Sequence, residues 1–251
     1  MDKNLIKNLL KKENPIVLEI GAHRGTDTLD FLQKFSEIEI HSFEPDPRII
    51  KLHRQLVSDR RSKLHEIAIS DEEGEATFYQ SGEAVDDQLK YDASSSLKKP
   101  KEHLTAYPNV KFNNSITVPT VRLDTWAREN NISEIDFIWA DVQGAEEQLI
   151  KGGLETLKKT KYFYTEYSDR ELYENQINLN KIKELLPSFE FICFYASNVL
   201  FKNTRYIQSP LEVLSERIYT NYYIYTHDRS YFRLPFKTGL RKLANRLTGT
   251  R

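Results

Sequence analysis

Residues 16–25 decide the fold, and they read Ile16-Val17-Leu18-Glu19-Ile20-Gly21-Ala22-His23-Arg24-Gly25. An apolar run ends at a glycine, and the apolar residues that follow recur at helical spacing at 29, 32 and 35. The pattern predicts a strand over 16–22, a tight turn, and a helix over 26–35 with the hydroxyl of Thr26 as its N-cap. The chain therefore opens with a βα unit whose turn has the form E-x-G-x-x-x-G.

Apolar runs and amphipathic segments continue to alternate after this unit. Further strands are predicted over 38–43, 64–69, 75–80, 116–123, 135–140, 162–167 and 189–195, with 75–80 as an antiparallel or edge strand. Helices are predicted over 46–57, from 124, over 145–157 and over 180–186. Strands that alternate with helices form βαβ units and a parallel sheet, with ligands bound beyond the carboxyl ends of its strands. The predicted class is α/β, a mostly parallel Rossmann-like sheet with helices on both faces.

The composition limits the class of protein. Of 251 residues, 39% are hydrophobic and 29% charged, which fits a soluble chain with a sizeable core and excludes disorder or a transmembrane bundle. The 36 basic and 37 acidic residues balance, so a nucleic-acid partner is not expected. The single cysteine, Cys193, excludes an internal disulfide framework and a cysteine-rich zinc site. The N-terminus has no basic segment followed by an apolar one, so a cytoplasmic location is expected.

The first turn contains two of only nine glycines, which makes both informative. Gly21 allows a sharp turn with its backbone open to a ligand, and Gly25 allows the helix to begin close to the sheet. Glu44, at the end of the next predicted strand, can accept hydrogen bonds from both hydroxyls of a ribose. Dinucleotide-binding turns carry a third glycine, and the charge of Glu19 would repel a pyrophosphate but attract the amino group and sulfonium of S-adenosylmethionine. The sequence favours this methyl donor over NAD.

Further motifs lie at the predicted strand ends. They are Glu19-Ile20-Gly21-Ala22, Phe43-Glu44-Pro45-Asp46-Pro47, Ala68-Ile69-Ser70-Asp71, Ser94-Ser95-Ser96-Leu97, Val118-Pro119, Leu123-Asp124, Ile135-Asp136 and Asp141-Val142-Gln143-Gly144-Ala145-Glu146. Over residues 16–167 the sequence resembles the FkbM family of S-adenosylmethionine-dependent methyltransferases, which have the class I, Rossmann-like fold. The last block resembles the family signature D-V-E-G-A-E, with Gln143 in place of glutamate. With Tyr164-Thr165-Glu166-Tyr167 and Glu171-Leu172-Tyr173-Glu174, it resembles the branch of the family that carries glutamine there.

The resemblance implies an O-methyltransferase that uses S-adenosylmethionine to methylate a hydroxyl of a sugar, a glycan or a related natural product. It implies three groups of cofactor contacts, which are Glu19, Gly21 and Gly25 for the methionine moiety, Glu44 for the ribose, and Ala68 with its neighbours for the adenine. Pro45, in the ribose-binding motif, and His23, inside the first turn, are further candidates for cofactor contact. Two alternatives from other classes stay open, a nucleotide-dependent oxidoreductase and a noncatalytic nucleoside-binding module.

Asp141 follows a predicted central strand and is expected beside the bound sulfonium, as a cofactor contact and as a catalytic group. A carboxylate there can remove the proton of an acceptor alcohol or help to align it for in-line transfer. It can equally be a structural acid that accepts backbone N–H groups from the turn at 143–144. His103 is a second candidate base, acting from a closing lid, and a plain surface histidine is the other interpretation.

Metal binding is not the favoured interpretation. Six histidines are scattered along the chain without an H-x-x-x-H pair, so a histidine metal site is not expected. Asp141, Glu146 and Glu166 would bind a divalent cation only if their strand ends converged. Glu146 is explained as well by its place in the first turn of a helix, where its charge complements the helix dipole.

Two segments differ from the regular alternation within an expected methyltransferase domain over 1–228. Residues 81–115 are polar and are expected to form an inserted loop, either a solvated one or a lid that binds the acceptor. Residues 229–251 form a basic amphipathic segment with seven basic residues and no acidic one. It is either a helix docked on the protein or a peripheral contact with the inner face of a membrane, which a lipid-linked acceptor would explain.

Overall fold

Twelve strands, nine α-helices and one short 3-10 helix, Thr204–Tyr206, are present in the computed structural model, which describes residues 1–85 and 88–227. The strands are β1 Ile16–Ile20, β2 Glu39–Phe43, β3 Ser62–His65, β4 Ala68–Ser70, β5 Gly74–Gln80, β6 Glu83–Val85, β7 Gln88–Lys90, β8 Asn114–Arg122, β9 Ile135–Ala140, β10 Thr160–Glu166, β11 Phe189–Tyr195 and β12 Asn198–Asn203. The α-helices are α1 Lys3–Leu10, α2 Thr26–Lys34, α3 Pro47–Leu56, α4 His103–Ala106, α5 Leu123–Glu129, α6 Glu146–Gly152, α7 Leu154–Leu157, α8 Leu179–Leu185 and α9 Pro210–His227.

Seven strands form the central sheet in the order β11-β12-β10-β9-β1-β2-β3. All pairs are parallel except those made by β12, which runs antiparallel to both of its neighbours. The chain builds the sheet outward from β1 through β2 and β3, and then crosses to β9 on the other side of β1. The crevice beyond the carboxyl ends of β1 and β9 is therefore the topological switch point, where sheets of this kind bind ligands.

Helices cover both faces of this sheet, as the sequence predicts. Successive strand residues point to opposite faces, so Val17 and Leu18 enter different cores. Phe31 of α2 packs in the first core, together with residues of α1 and α9. Trp126 of α5 packs in the second core, with residues of α6, α7 and α8. Each large side chain buried in this way contributes about 1.5–3 kcal/mol to folding. The predicted α/β fold is confirmed.

The predicted strand over 64–69 is wrong, because two strands in different sheets share this region. His65 ends β3 and pairs with Phe43 at the edge of the central sheet. Ala68 begins β4 and pairs with Thr120 in a separate three-stranded sheet of order β4-β8-β5. Apolar residues occur in both segments, Leu64 in β3 and Ile67, Ala68 and Ile69 at β4, so the pattern alone does not reveal that the chain leaves one sheet for the other.

Residues 81–115 are more regular than the expected polar loop. They contain the β6–β7 hairpin and the short helix α4, and the backbone of Ser96 exchanges two hydrogen bonds with Tyr79 of β5 at 2.8 and 3.0 Å. Pro100 forms a bridge with Tyr173, so the insertion is also joined to the segment after β10. These contacts were not predictable from local composition, because each joins residues that are distant in sequence.

Several helix boundaries also differ from the prediction. Thr26 is the first residue of α2 and not its N-cap, a place taken by Gly25 with a φ of +83°. The helix predicted over 145–157 is interrupted at Gly153. Helices α1 and α9 and strand β12 were not predicted. No helix in the described part of the chain is long and apolar enough to span a membrane. The basic segment 229–251 lies outside the described residues.

Candidate active site

The turn after β1 and the end of β9 approach each other through their backbones. Gly21 has a φ of +86°, and a Cβ atom at this position would lie 1.9 Å from the backbone oxygen of Asp141. The Asp141 N–H donates to the carbonyl of Ile20 at 2.9 Å. The N–H groups of Gly21 and Ala22 both donate to the carbonyl of Phe43 at the end of β2, at 3.0 and 2.9 Å. A glycine at 21 is therefore needed to bring three strand ends together.

A cleft opens at this junction, with about 1000 Å³ of free space including its mouth. Four carboxyl groups line it, those of Asp27, Glu44, Asp92 and Asp141, and no lysine or arginine is among the described lining residues. One wall is apolar and contains Ile49, Ile67, Ala68, Ile69, Phe78 and Leu97. An acidic lining beside an apolar wall fits a ligand that carries both a cationic group and a flat apolar one, and it opposes a pyrophosphate.

Glu44 lies at the end of β2 with its carboxylate in the cleft. One carboxylate oxygen accepts the N–H of His23 and the other accepts the N–H of Asp46, both at 2.9 Å. Burial raises the pKa of Glu44 to about 7, an effect that these two hydrogen bonds oppose. Pro45 and Ala68 also line the cleft. The residues expected to contact the ribose and the adenine are thus next to one another.

Two of the three residues expected at the methionine moiety are absent from the described lining. The carboxylate of Glu19 is buried on the other face of β1, where it accepts hydrogen bonds from Thr28 and, at 3.1 Å, from Ser42. Gly25 faces α3, since a Cβ atom there would lie 2.6 Å from Val57 Cγ2. Only Gly21 of the three borders the cleft. Strand alternation explains the error for Glu19, which shares a face with Val17 under α2.

Asp141 opens onto the cleft and is bonded to the side chain of Gln143, whose Nε2 donates to Asp141 Oδ1 at 2.5 Å. The same nitrogen donates to Glu166 Oε2 at 3.0 Å. Asp141 is exposed to the cleft, yet the neighbouring walls displace part of its water and so raise its pKa, and the charge of Asp27 adds to this effect. Burial and the charge of Asp141 raise the pKa of Glu166 to about 7. Two neighbouring carboxyl groups, of which Asp141 borders the cleft, therefore have increased proton affinity.

The carboxylates at 141, 146 and 166 do not form a metal site. Glu146 is buried, accepts the N–H of Gly144 at 3.2 Å, and has its pKa raised to about 8 by burial. Within residues 1–85 and 88–227, no group of three histidine, cysteine or acidic side chains is arranged to hold a metal ion.

The two candidate histidines differ in position. His23 lines the cleft, and its Nε2 lies 3.4 Å from Asp92 Oδ1. His103 is 3% exposed and does not line the cleft. Its ring packs against those of Tyr107, Phe112 and Tyr173 at centroid distances of 4.8, 5.2 and 5.4 Å, and burial lowers its pKa. The expectation of a base that acts from a lid is replaced by a packing role for His103.

Sequence reasoning missed three groups at the cleft. Asp92, in the insertion, pairs with Arg24 at 2.6 Å and borders the cavity. Asp27 and Trp139 also border it, and both contact Lys3 of α1. The Lys3 ammonium is buried, forms an ion pair with Asp27, and lies 3.3 Å from the centroid of the Trp139 ring. The position of Asp27 in the first turn after the glycines was a usable signal, whereas nothing local marks Lys3.

A comparison with family models decides the assignment. The model described as "Methyltransferase FkbM domain" matches residues 19–202. The chain belongs to the FkbM methyltransferase family. It is also 44% identical over 205 residues to "2-O-methyltransferase NoeI" of Sinorhizobium fredii (strain NBRC 101917 / NGR234), a match that covers 80% of this chain and 84% of that protein.

Solved structures with a similar fold include the precorrin-6y C5,15-methyltransferase of Geobacter metallireducens, with 11% identity, a TM-score of 0.43, and 80% and 84% of the two chains covered. The fibrillarin pre-rRNA processing protein of Methanococcus jannaschii has 15% identity and a TM-score of 0.42, with 76% of this chain and 66% of that chain covered. A Streptococcus pneumoniae protein solved with S-adenosyl-L-methionine has 10% identity and a TM-score of 0.41, with 85% and 78% covered.

The predicted family and the predicted cofactor are confirmed, and the protein is an S-adenosylmethionine-dependent methyltransferase. The name of the S. fredii relative agrees with the O-methylation that the sequence led us to expect. Family membership decides against an oxidoreductase and against a noncatalytic nucleoside-binding module. The residues present fit this cofactor, because Gly21 borders a cleft whose acidic lining suits a sulfonium and whose apolar wall suits an adenine ring.

Proposed function

We propose that this FkbM methyltransferase methylates a hydroxyl of a sugar or glycan and that Asp141 accepts the hydroxyl proton. Bound S-adenosylmethionine supplies the methyl group as an electrophile, so a carbon–oxygen bond forms as the carbon–sulfur bond breaks. An alcohol is a weak nucleophile until its proton is being removed, and the Asp141 carboxylate borders the cleft. The observation that carries the proposal is this carboxylate at the switch point, directly beside the Gly21 turn.

The environment of Asp141 suits this role. Its raised pKa increases its affinity for the proton that leaves the acceptor. Gln143 bonds one of its oxygens and thereby fixes the plane of the carboxylate. Alignment of the acceptor oxygen contributes as well, since holding reactants in position can supply several kcal/mol, up to about 7–11 kcal/mol in well-oriented systems.

We further propose that Gly21, His23, Glu44, Pro45 and Ala68 contact the cofactor. All five border the same cleft, which supports a shared role. In this proposal the Gly21 turn lies along the methionine moiety, Glu44 accepts the ribose hydroxyls, and the apolar wall around Ala68 packs against the adenine. Asp27 and Asp92 join them as counter-charges for the cationic end of the cofactor.

We propose that residues 81–115 form part of the acceptor site within a methyltransferase domain spanning 1–228. Asp92, Ala93, Ser95 and Leu97 of this insertion line the cleft, which supports contact between the insertion and a bound ligand. Exposed aromatic rings on the insertion, those of Tyr91 and Tyr107, can stack on the apolar faces of sugar rings.

The test is methyl transfer from S-adenosylmethionine labelled with tritium in its methyl group. The acceptors are methyl glycosides of neutral sugars, and products are located by NMR. We expect transfer to a sugar hydroxyl as an ether that resists mild base. The proposed acceptor class would be wrong if the label entered only amines, carboxylates or the protein itself.

We also propose a cytoplasmic enzyme that contacts the inner face of a membrane through residues 229–251, where a lipid-linked acceptor would be presented. The basic amphipathic sequence of this segment supports the proposal. In a flotation gradient with vesicles that contain phosphatidylglycerol, the full chain should rise with the vesicles, and a chain ending at 228 should stay in the bottom fraction. Equal behaviour of both proteins would exclude membrane binding through this segment.

A further inference from the structure

The side chain of Gln143 is bonded at both ends. Its Nε2 donates to Asp141 Oδ1 at 2.5 Å and to Glu166 Oε2 at 3.0 Å, and its Oε1 accepts the hydroxyl of Tyr173 at 2.9 Å. Its backbone oxygen accepts the hydroxyl of Ser96 at 2.6 Å. One glutamine therefore connects two strand ends, the segment after β10 and the insertion.

The chemistry of these partners fixes which end of the amide faces which neighbour. When Asp141 and Glu166 are ionised they only accept hydrogen bonds, so above neutral pH the NH₂ group faces both of them. The carbonyl end then faces Tyr173, whose buried hydroxyl shares its single proton between Gln143 Oε1 at 2.9 Å and the carbonyl of Ser94 at 2.8 Å. Burial raises the pKa of Tyr173, so this hydroxyl keeps its proton and remains a donor. The amide is held in one orientation.

The backbone of this turn is held as firmly. Gln143 has a φ of +50°, which is unusual for a residue other than glycine and has to be stabilised by its surroundings. Gly144 follows with a φ of +92°, and a Cβ atom there would lie 2.8 Å from Tyr173 Cδ2. The Ser96 bond and the Tyr173 ring therefore lock the turn that carries Gln143, which gives the serine run at 94–96 a structural purpose.

We propose that Gln143 is the positioning residue of the methyl transfer. Its amide holds the carboxylate of Asp141 in one orientation, with one oxygen bonded to the amide and the other turned to the acceptor. Glu166 and Tyr173 act through Gln143, because each fixes one end of the amide. This inference rests on the proposed function, because it assumes that Asp141 accepts the proton of the acceptor hydroxyl. Glu166 and Tyr173 are the two side-chain partners of Gln143 besides Asp141.

A comparison with glutamate at position 143 shows why an amide is needed there. A glutamate there would place a third acidic group between Asp141 and Glu166, and like charges at this distance oppose one another's ionisation. The amide instead donates to both groups with a single nitrogen. Other titratable groups that face Asp141 are few: Asp27 and His23 near the first turn, Glu146 of α6, Glu166 and Tyr164 of β10, and Tyr173.

The direct test is a titration of the side-chain carboxyl groups by ¹³C NMR in the full chain without ligand. Asp141→Asn and Glu166→Gln assign the two signals by their disappearance. In Gln143→Met, which keeps the size of the side chain but removes the donor, we expect the pKa values of both groups to rise, by about one unit. Gln148→Met is the matched control, because Gln148 lies on α6 outside the cleft lining, and both signals should titrate as in the wild type.

A second variant keeps the test informative if Gln143→Met does not fold. Tyr173→Phe keeps the ring against Gly144 but releases the amide carbonyl, so both pKa values should rise by a smaller amount. Unchanged titration of both groups in Gln143→Met, or in Tyr173→Phe if that variant alone folds, would overturn the proposal and leave Gln143 as a space-filling residue.

Turnover separates this inference from the function on which it rests. With an active glycoside acceptor, the acid limb of the kcat/KM profile should move to higher pH in Gln143→Met, in step with the pKa values measured by NMR. Loss of a residue that only fills space would not shift this profile. If the acid limb stays fixed while the NMR signals move, the amide holds the carboxylates but does not position the reaction, and the proposal fails. If Asp141→Asn keeps full turnover, the proton acceptor was misassigned, and the proposed role of Asp141 fails independently of the hydrogen bonds.

Discussion

A Cβ atom on Gly21 would lie 1.9 Å from the backbone oxygen of Asp141, so the cofactor turn and the candidate base share one close contact. The consequence is that the first βα turn and the D-V-Q-G-A-E block cannot be varied separately. A larger residue at 21 must push the end of β1 away from the end of β9, and this displaces the Asp141 carboxylate relative to the first turn.

Gly21→Ala should therefore lose cofactor affinity. The clash is with backbone, and a positive φ adds about 1–2 kcal/mol of strain for an alanine. We expect the Kd of S-adenosylhomocysteine, measured by calorimetry, to rise at least about tenfold. Gly74→Ala is the matched control, because its φ of +122° is also strained for alanine but nothing lies within 4 Å. Equal affinity in Gly21→Ala and the wild type would contradict the proposed position of the cofactor.

Cofactor binding should weaken as the pH falls below neutrality. The pKa of Glu44 is raised to about 7, and only its ionised form accepts hydrogen bonds from both ribose hydroxyls. Protonation below pH 7 removes this acceptor, so the Kd of S-adenosylhomocysteine should increase between pH 8 and pH 6. Glu44→Gln should bind more weakly at pH 8 and show a smaller dependence on pH. A Glu44→Gln profile that parallels the wild type would mean that another group causes the change.

Lys3 is expected to stabilise the fold and the cleft together. Its buried ammonium pairs with Asp27 and lies over Trp139. Lys3→Met removes the ion pair and the contact with Trp139, whereas burial, which lowers the pKa of Lys3, opposes both. Because Asp27 is 44% exposed, we expect a net loss of about 1–2 kcal/mol in the free energy of unfolding. Urea unfolding measures this change. Lys7→Met, which removes an exposed pair with Glu13, should cost less than about 1 kcal/mol. If Lys3→Met lowers the free energy of unfolding no more than Lys7→Met does, this role of Lys3 is contradicted.

A histidine pair should make stability depend on acidity. His41 Nδ1 and His65 Nε2 lie 3.0 Å apart, and burial together with the charges of His41 and Lys63 lowers the pKa of His65 to about 4. An unfolded histidine titrates near 6.5, so the unfolded chain binds more protons between these values. The contribution of His65 to the free energy of unfolding is thus complete above about pH 6.5 and is lost as the pH falls towards 4.

Carboxyl groups with raised pKa values, such as those of Glu44 and Glu146, act in the opposite direction over part of this range. The difference between His65→Phe and the wild type isolates the histidine contribution, and phenylalanine suits the stacked position beside Phe43. Chemical unfolding at pH 7 and pH 5 should show that the free energy of unfolding decreases less between these pH values in His65→Phe than in the wild type. The same loss in both proteins would exclude the pair as the cause.

Much of the fold follows from local patterns. The β1–turn–α2 unit, the alternation of strands with helices and the family motifs were sufficient to predict the α/β sheet and its ligand edge. The direction of the Glu19 side chain was missed, although strand alternation with Val17 contained the answer. What local patterns do not contain is contact between distant segments. The sequence around His103 is typical of a polar loop, because its ring partner Tyr173 is 70 residues away. Lys3 resembles a surface residue in the sequence, because its partners Asp27 and Trp139 belong to other elements.

The measurement that tests the central claim most directly is the single-turnover rate of methyl transfer in Asp141→Asn with a sugar acceptor that the wild type methylates. Calorimetry with S-adenosylhomocysteine is done on the same sample. We predict that the rate falls at least about 100-fold, as expected when a general base is removed, while the Kd changes only a few-fold. A rate close to that of the wild type, with the cofactor bound normally, would contradict the account.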